Sequence, residues 1–166
     1  RTPRVQWLQE VANSQYSFSG GFILGKKATL PIEQGTEEPD QQLIWSTQRV
    51  GFNGYFKMML DSKTALVPPG NARWSYRHYE SIYAGCIPIS ANFQDSQMLI
   101  PLPVNGMIHV EPGGSIINPL EDALRKRKDN PDTPMHNLAH LEQYLTDGAY
   151  DCRKTNLLQR FHDQLI

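Results

Sequence analysis

The sequence predicts an α/β domain of Rossmann-like type: a parallel sheet of about four strands, flanked by helices and followed by a helical carboxyl-terminal segment. Three observations carry this expectation. "TALVP" at 64–68 is a short, fully apolar run of the kind found inside a parallel sheet, and "CIPIS" at 86–90 and "GMIHVE" at 106–111 read as further strands. A helical pattern separates the first two runs and a proline-rich loop the last two, and the alternation of strands with helices along the chain implies right-handed crossovers within a parallel sheet. From Ile117 onward the pattern is helical alone, broken at "DNPDTP" (129–134) and again near Gly148.

Taken in order, "TPRVQWLQEVANS" reads as a helix capped by Thr2, with Pro3 in its first turn. "QYSFSGGFIL" is a strand pattern interrupted by Gly20 and Gly21. Residues 26–42 are polar and punctuated by Pro31, Gly35 and Pro39, which marks a loop. A helix is expected at about Thr47–Asp61, then the strand "TALVP", a helix at about Tyr76–Ala84, and the strands "CIPIS" and "GMIHVE". Gly85 and Pro88 suit the stop signals of the helix before them.

Length and composition bound what this chain does. Its 166 residues fit a single domain, 1–166, large enough for a core of its own. Sixteen basic and seventeen acidic side chains leave a net charge of −1, so no global field gathers nucleic acid or anionic lipid, and an anion has to be met locally. Cys86 and Cys152 are too few for a disulfide framework or a metal knuckle. No apolar run approaches the ~20 residues of a spanning helix. "RTPRVQWLQE" lacks an initiating methionine and a signal peptide's apolar core, which suggests a piece of a longer protein and leaves Golgi lumen and cytoplasm both open.

The candidate site lies in "SKTALVPPGNARWSYRHYESIYAGCIPIS", 62–90. Ligands of open parallel sheets sit beyond the carboxyl ends of the strands, where loops lead into helix amino termini. Gly70 permits close backbone approach, Asn71 offers a donor, and Ser75 suits an N-cap, with Trp74 and Tyr79 spaced as a hydrophobic staple. Helix-tip amides and the dipole would meet an anion, and Arg77 adds a fork for phosphate oxygens. Glu80, one turn deeper on the same face, suits two neighbouring hydroxyls such as those of a ribose. From spacing alone, a plain surface ion pair between Arg77 and Glu80 is the commoner explanation. His78 and Tyr79 pack or face solvent, with one of them available to a base. Lys63, several residues ahead of the loop, is a weaker phosphate candidate. Gly20 and Gly21 either line the same cleft or form an ordinary turn.

That segment resembles the donor-binding stretch of exostosin-type glycosyltransferases. The match runs through Ser62, Lys63, Pro68, Gly70, Ser75, Arg77, Glu80, Ala84, Gly85, Cys86, Pro88 and Ile89, dense over about 30 residues and weak elsewhere. The resemblance implies the donor-binding, carboxyl-terminal half of a two-domain GT-B enzyme. It further implies inverting, metal-independent transfer from a nucleotide-sugar, with a UDP-sugar the expected donor, to a carbohydrate acceptor held by a preceding domain. Arg77 would neutralise the departing diphosphate and Glu80 hold the ribose, while Gly70, Asn71, Ser75, Lys63, Gly20 and Gly21 serve as binding positions. The general base is expected from the other half. A non-catalytic sugar-nucleotide binding module and a GT-B sugar-nucleotide epimerase share these features.

Other motifs carry less. Cys86 opens an apolar strand and reads as a small buried hydrophobe. His136 and His140 in "HNLAH" share a helical face but lack the glutamate of a zinc-protease motif and a third ligand, so no metal is expected there. No Asp-x-Asp, G-x-G-x-x-G or Walker pattern is present. "RKRK" at 125–128 fits a solvated helix end, where cations are favoured. "EPGGS" at 111–115 reads as a further cleft loop, with Glu111 near the sugar end only by a loose correspondence.

Overall fold

The computed structural model describes residues 3–18, 22–23, 45–46, 51–69, 75–92 and 100–146, and residues 148, 149, 151, 152, 154, 155 and 159 beyond them. It is an α/β structure whose main sheet has three parallel strands, β3 (Thr64–Val67), β4 (Ile87–Ala91) and β5 (Ile108–Val110), in the order β3-β4-β5. Thr64 pairs with Ile87 and Val67 with Ser90 on one side of β4, and Ile89 pairs with Ile108 on the other. The predicted amino-terminal strand does not add a fourth member. Its described part, β1 (Phe22–Ile23), pairs in parallel with β2 (Trp45–Ser46) in a separate two-stranded unit.

The helices delimited among the described residues are α1 (Pro3–Ala12), α2 (Phe52–Leu60), α3 (Tyr76–Tyr83), α4 (Ile117–Asp129) and α5 (Thr133–Glu142). The second helix begins later than its sequence pattern suggests, because Gly51 is extended and serves as its N-cap. Helix α3 ends as its glycine predicts. Gly85 adopts φ +75°, and the N–H groups of Gly85 and Cys86 reach back to the carbonyls of Ile82 and Ser81, both at 2.9 Å, the double closure of a Schellman motif.

Strand alternation assigns side chains to two helical layers. Ile87, Ile89, Ile108, Val110 and Leu66 pack with Trp7 and Val11 of α1 and with Ile116, Leu120 and Ala123 around α4. On the opposite face, Met107 joins Ile82 of α3 and Leu141 of α5, and Ala65 lies against Met59 of α2 and Cys86. Each fully buried aliphatic side chain is worth about 1.5–3 kcal/mol, so these clusters hold the layers together.

Pro88 occupies the central strand, where a proline ordinarily costs a ladder bond. Ile87 N–H donates to the Lys63 carbonyl at 3.1 Å, so Ile87 faces β3 and the Pro88 nitrogen faces β5. The register places Met107 opposite Pro88 and makes the Gly106 carbonyl the acceptor for the missing N–H. Asn137, 2% exposed on α5, fills that role: its Nδ2 donates to the Gly106 carbonyl at 3.0 Å. A Cβ at Gly106 would lie 1.5 Å from Asn137 Oδ1, so the exchange of partners requires glycine there.

Helix α1 crosses the carboxyl edge of the sheet. Arg4 Nε donates to the Pro69 carbonyl beyond β3 at 3.2 Å. Glu10 Oε2 accepts from Ser115 Oγ and from Ile116 N–H, both at 2.7 Å, at the start of α4 beyond β5. Six residues of helix span about 9 Å, and β3 and β5 lie two strand spacings, about 9.6 Å, apart. The two lengths match. Burial pushes the Glu10 carboxyl up, but hydrogen bonds from Ser115, Gln6 and Ile116 outweigh it and hold its pKa below the ordinary 4.5.

Glu10→Gln is expected to cost about 1 kcal/mol at neutral pH, as loss of a charged cap does. Because the folded pKa is depressed, this contribution is present above the unfolded value near 4.5 and is lost as pH falls through the lower folded value. Urea midpoints of both proteins across that range should therefore converge in acid. Asn137→Ala leaves the part-buried Gly106 carbonyl without its donor, and a loss of about 1 kcal/mol is expected in the same measurement. An unchanged midpoint would refute the assigned exchange of partners.

Candidate functional site

The carboxyl edge of the three-stranded sheet gathers the segments that leave β3, β4 and β5. The first leads to α3, whose N-cap Ser75 is extended (φ −155°, ψ 167°). Ser75 N–H donates to His78 Nδ1 at 3.0 Å, so the side chain at N3 closes the reciprocal half of a capping box with imidazole in place of the usual glutamate. His78 Nδ1 also lies 3.0 Å from the Ser75 carbonyl, and Nε2 lies 2.7 Å from Ser90 Oγ, so both ring nitrogens are engaged. Burial is the main cause of a lowered His78 pKa; the backbone of Ser75 opposes the shift and His109 adds to it. His78 is 1% exposed and Ser90 fully buried. The tip of α3 is thus pinned to the central strand.

Arg77 lies in the first turn of α3 with its side chain exposed. Its amide is among those that a helix leaves without an intrahelical acceptor. Glu80, half-buried, accepts at Oε2 from the Tyr55 hydroxyl of α2 at 3.1 Å. It is not joined to Arg77, which sets aside the surface ion pair as the reason for their spacing. Tyr55 records both neighbours: burial first, then Glu80, push its phenol up to about 12, while Arg77 pulls the other way. Arg77 and Glu80 therefore flank one phenol at the α2–α3 seam. One carboxylate oxygen of Glu80 is held and the other remains as an acceptor.

The remaining sequence-predicted positions divide. Lys63 is not brought to this edge: it precedes the amino end of β3, and its carbonyl accepts from Ile87 N–H at the start of β4. Since parallel strands begin at one edge and end at the other, Lys63 and Ser75 lie at opposite ends of the sheet. His78 and Tyr79 are not available to a base either, His78 being buried in the cap and the Tyr79 hydroxyl donating to the Ile100 carbonyl at 2.7 Å. Gly20, Gly21, Gly70, Asn71 and Trp74 lie outside the described residues.

Cys86 is fully buried, with its thiol directed to the carbonyls of Met59 (3.1 Å) and Ser62 (3.4 Å). Burial raises its pKa to about 11, so it is a packed thiol without nucleophilic character. "EPGGS" forms a turn at the carboxyl end of β5. Gly113 has φ +74° and Gly114 N–H donates to the Glu111 carbonyl at 2.9 Å, as expected of a proline followed by glycine in a type II turn.

Two residues enter that the sequence did not single out. Arg4 brings a cation to the backbone of the β3 loop, and Tyr55 orients Glu80. Neither has a local signal, because both act across tertiary contacts of helices whose own patterns report only burial. Among the described residues no three His, Cys, Asp or Glu side chains converge as a metal centre needs. What the edge offers is a capped helix tip, two arginines and an oriented carboxylate, a set suited to an anion with hydroxyls beside it.

Comparison of the chain with protein-family models, with curated proteins and with solved structures finds no match.

If Tyr55 and Glu80 act as a pair, Tyr55→Phe and Glu80→Gln are non-additive. A double-mutant cycle in urea should give a favourable coupling of about 1 kcal/mol. A coupling near zero would show that the contact does not orient the carboxylate.

Proposed function

We propose that this chain is the nucleotide-sugar-binding half of a glycosyltransferase of GT-B architecture, similar to the exostosin family, with its parallel sheet the core of a Rossmann-like donor domain. The observation that supports this reading is the seating of Arg77 and Glu80. Both stand on the helix that leaves the carboxyl edge of a parallel sheet, where such folds take their ligands. The motif resemblance over residues 62–90 gives these positions their roles.

In this reading a nucleotide-sugar, with UDP as the expected carrier, lies along the first turns of α3. Its diphosphate meets the helix tip and the Arg77 guanidinium. Its ribose hydroxyls donate to the Glu80 oxygen that Tyr55 leaves available. During transfer the bond from the anomeric carbon to the diphosphate oxygen breaks, and negative charge accumulates on that oxygen. Arg77 and the helix dipole stabilise it without a metal ion. The carbohydrate acceptor loses its proton to a base supplied by a preceding acceptor domain, and attack from the opposite face inverts the configuration. Arg4, beside the β3 loop, adds a second cation at the same edge.

Calorimetry of the full chain against UDP, GDP, CMP and their sugar conjugates tests the reading. One nucleoside diphosphate should bind saturably, with and without a metal chelator. Glu80→Ala should weaken it about tenfold, the worth of a hydrogen bond to a charged group. Arg77→Ala should weaken the diphosphate while leaving the bare nucleoside unchanged. Equal binding by wild type and both variants, or no saturable binding at all, would overturn the assignment.

A further inference from the structure

The amino edge of the sheet, opposite Ser75, carries a cleft of its own. An open cleft of about 450 Å³ lies between the 3₁₀ turn Val104–Gly106 that precedes β5, the last turns of α4 and the outer face of α5. Three of its lining side chains are basic, Lys126, His136 and His140, and none of the described residues lining it is acidic.

The basic groups are positioned by their surroundings. Lys126 Nζ donates to the Asn105 carbonyl, which fixes the ammonium at the rim and leaves two of its three donors for a ligand. His136 and His140 stand one turn apart on the same face of α5, His136 exposed and His140 half-buried. His140 Nε2 is 3.2 Å from the Pro101 carbonyl, which can only accept, and its ring tilts against Tyr144 with centroids 5.4 Å apart. These contacts set the imidazole's orientation. The part-buried Asn137–Gly106 bond stiffens the floor beneath them.

We propose that this cleft binds a phosphate group, either inorganic phosphate or the phosphate of a small organic ester. An ammonium with two imidazoles matches a tetrahedral dianion with several acceptor oxygens better than a single carboxylate. Leu102 and Pro103 give the opposite wall an apolar surface on which the organic part of an ester would rest. The site is independent of the donor reading, since it shares no residue with Arg77, Glu80 or Ser75.

Ring signals of the labelled full chain, followed by NMR as phosphate replaces chloride at constant ionic strength, test the proposal. His136 and His140 should shift along a saturating curve. Lys126→Ala and His136→Ala should each weaken the apparent Kd about tenfold, whereas Arg125→Ala, next along α4 and paired with Asp122, should leave it unchanged. His136→Ala alters an exposed helical position and keeps the fold, so it remains informative should Lys126→Ala loosen the 3₁₀ turn. Glycerol phosphate binding more tightly than inorganic phosphate identifies an ester as occupant, and equal binding identifies the free anion. Linear, unsaturated shifts, or wild-type affinity in His136→Ala, would overturn the proposal. Unchanged phosphate binding in Glu80→Ala would separate this cleft from the donor site.

Discussion

The structure depends on one constraint: β4 is buried on both faces and paired on both edges, so every polar group it carries needs a partner inside the protein. Ile87, Ile89 and Ser90 are fully buried. The two isoleucines draw α1 and α4 onto one face. On the other face, the hydroxyl of Ser90 and the missing amide of Pro88 each require a polar group from a helix. His78 of α3 answers the first and Asn137 of α5 answers the second. An unanswered group there would cost about 1–3 kcal/mol, comparable with the gain from burying a whole aliphatic side chain.

The same constraint shapes both edges of the sheet. The ring that partners Ser90 also receives Ser75 N–H, so the helix tip at the carboxyl edge is positioned from within the core, not by its loop alone. At the other edge, cations close backbone carbonyls. Arg127 donates to the Gly85 carbonyl at 3.2 Å, and Lys126 donates to that of Asn105. The basic run at the end of α4 is therefore partly structural, where its sequence suggested a solvated helix end.

Much of this was legible in the sequence, for identifiable reasons. Apolar runs bounded by turn residues located β3, β4 and β5, since strands buried on both faces leave no other pattern. Ser75 and Gly85 bracketed α3 to within a residue because caps are local chemistry. The late start of α2 was hidden because the residues before Gly51 suit a helix as well as its N-cap does. Lys63 stands at the strand entry, as its sequence position suggests, and for that reason lies at the end of β3 away from Ser75. His78 looked like a candidate for ligand contact, yet no pattern announces an imidazole standing in for the glutamate of a capping box. Tyr55 and Arg4 act over separations of 25 and 65 residues, beyond any local signal.

The span of α1 has a mechanical consequence. A helix is stiff along its axis, and this one is fastened near one end to the segment after β3 and near the other to the start of α4. Those are the two loops between which any occupant of the carboxyl edge would sit. A displacement of one is transmitted to the other as through a rod, so the gap between them is set by helix geometry and not by the lengths of the loops. The amino-terminal helix is in this sense a gauge block for the edge it crosses.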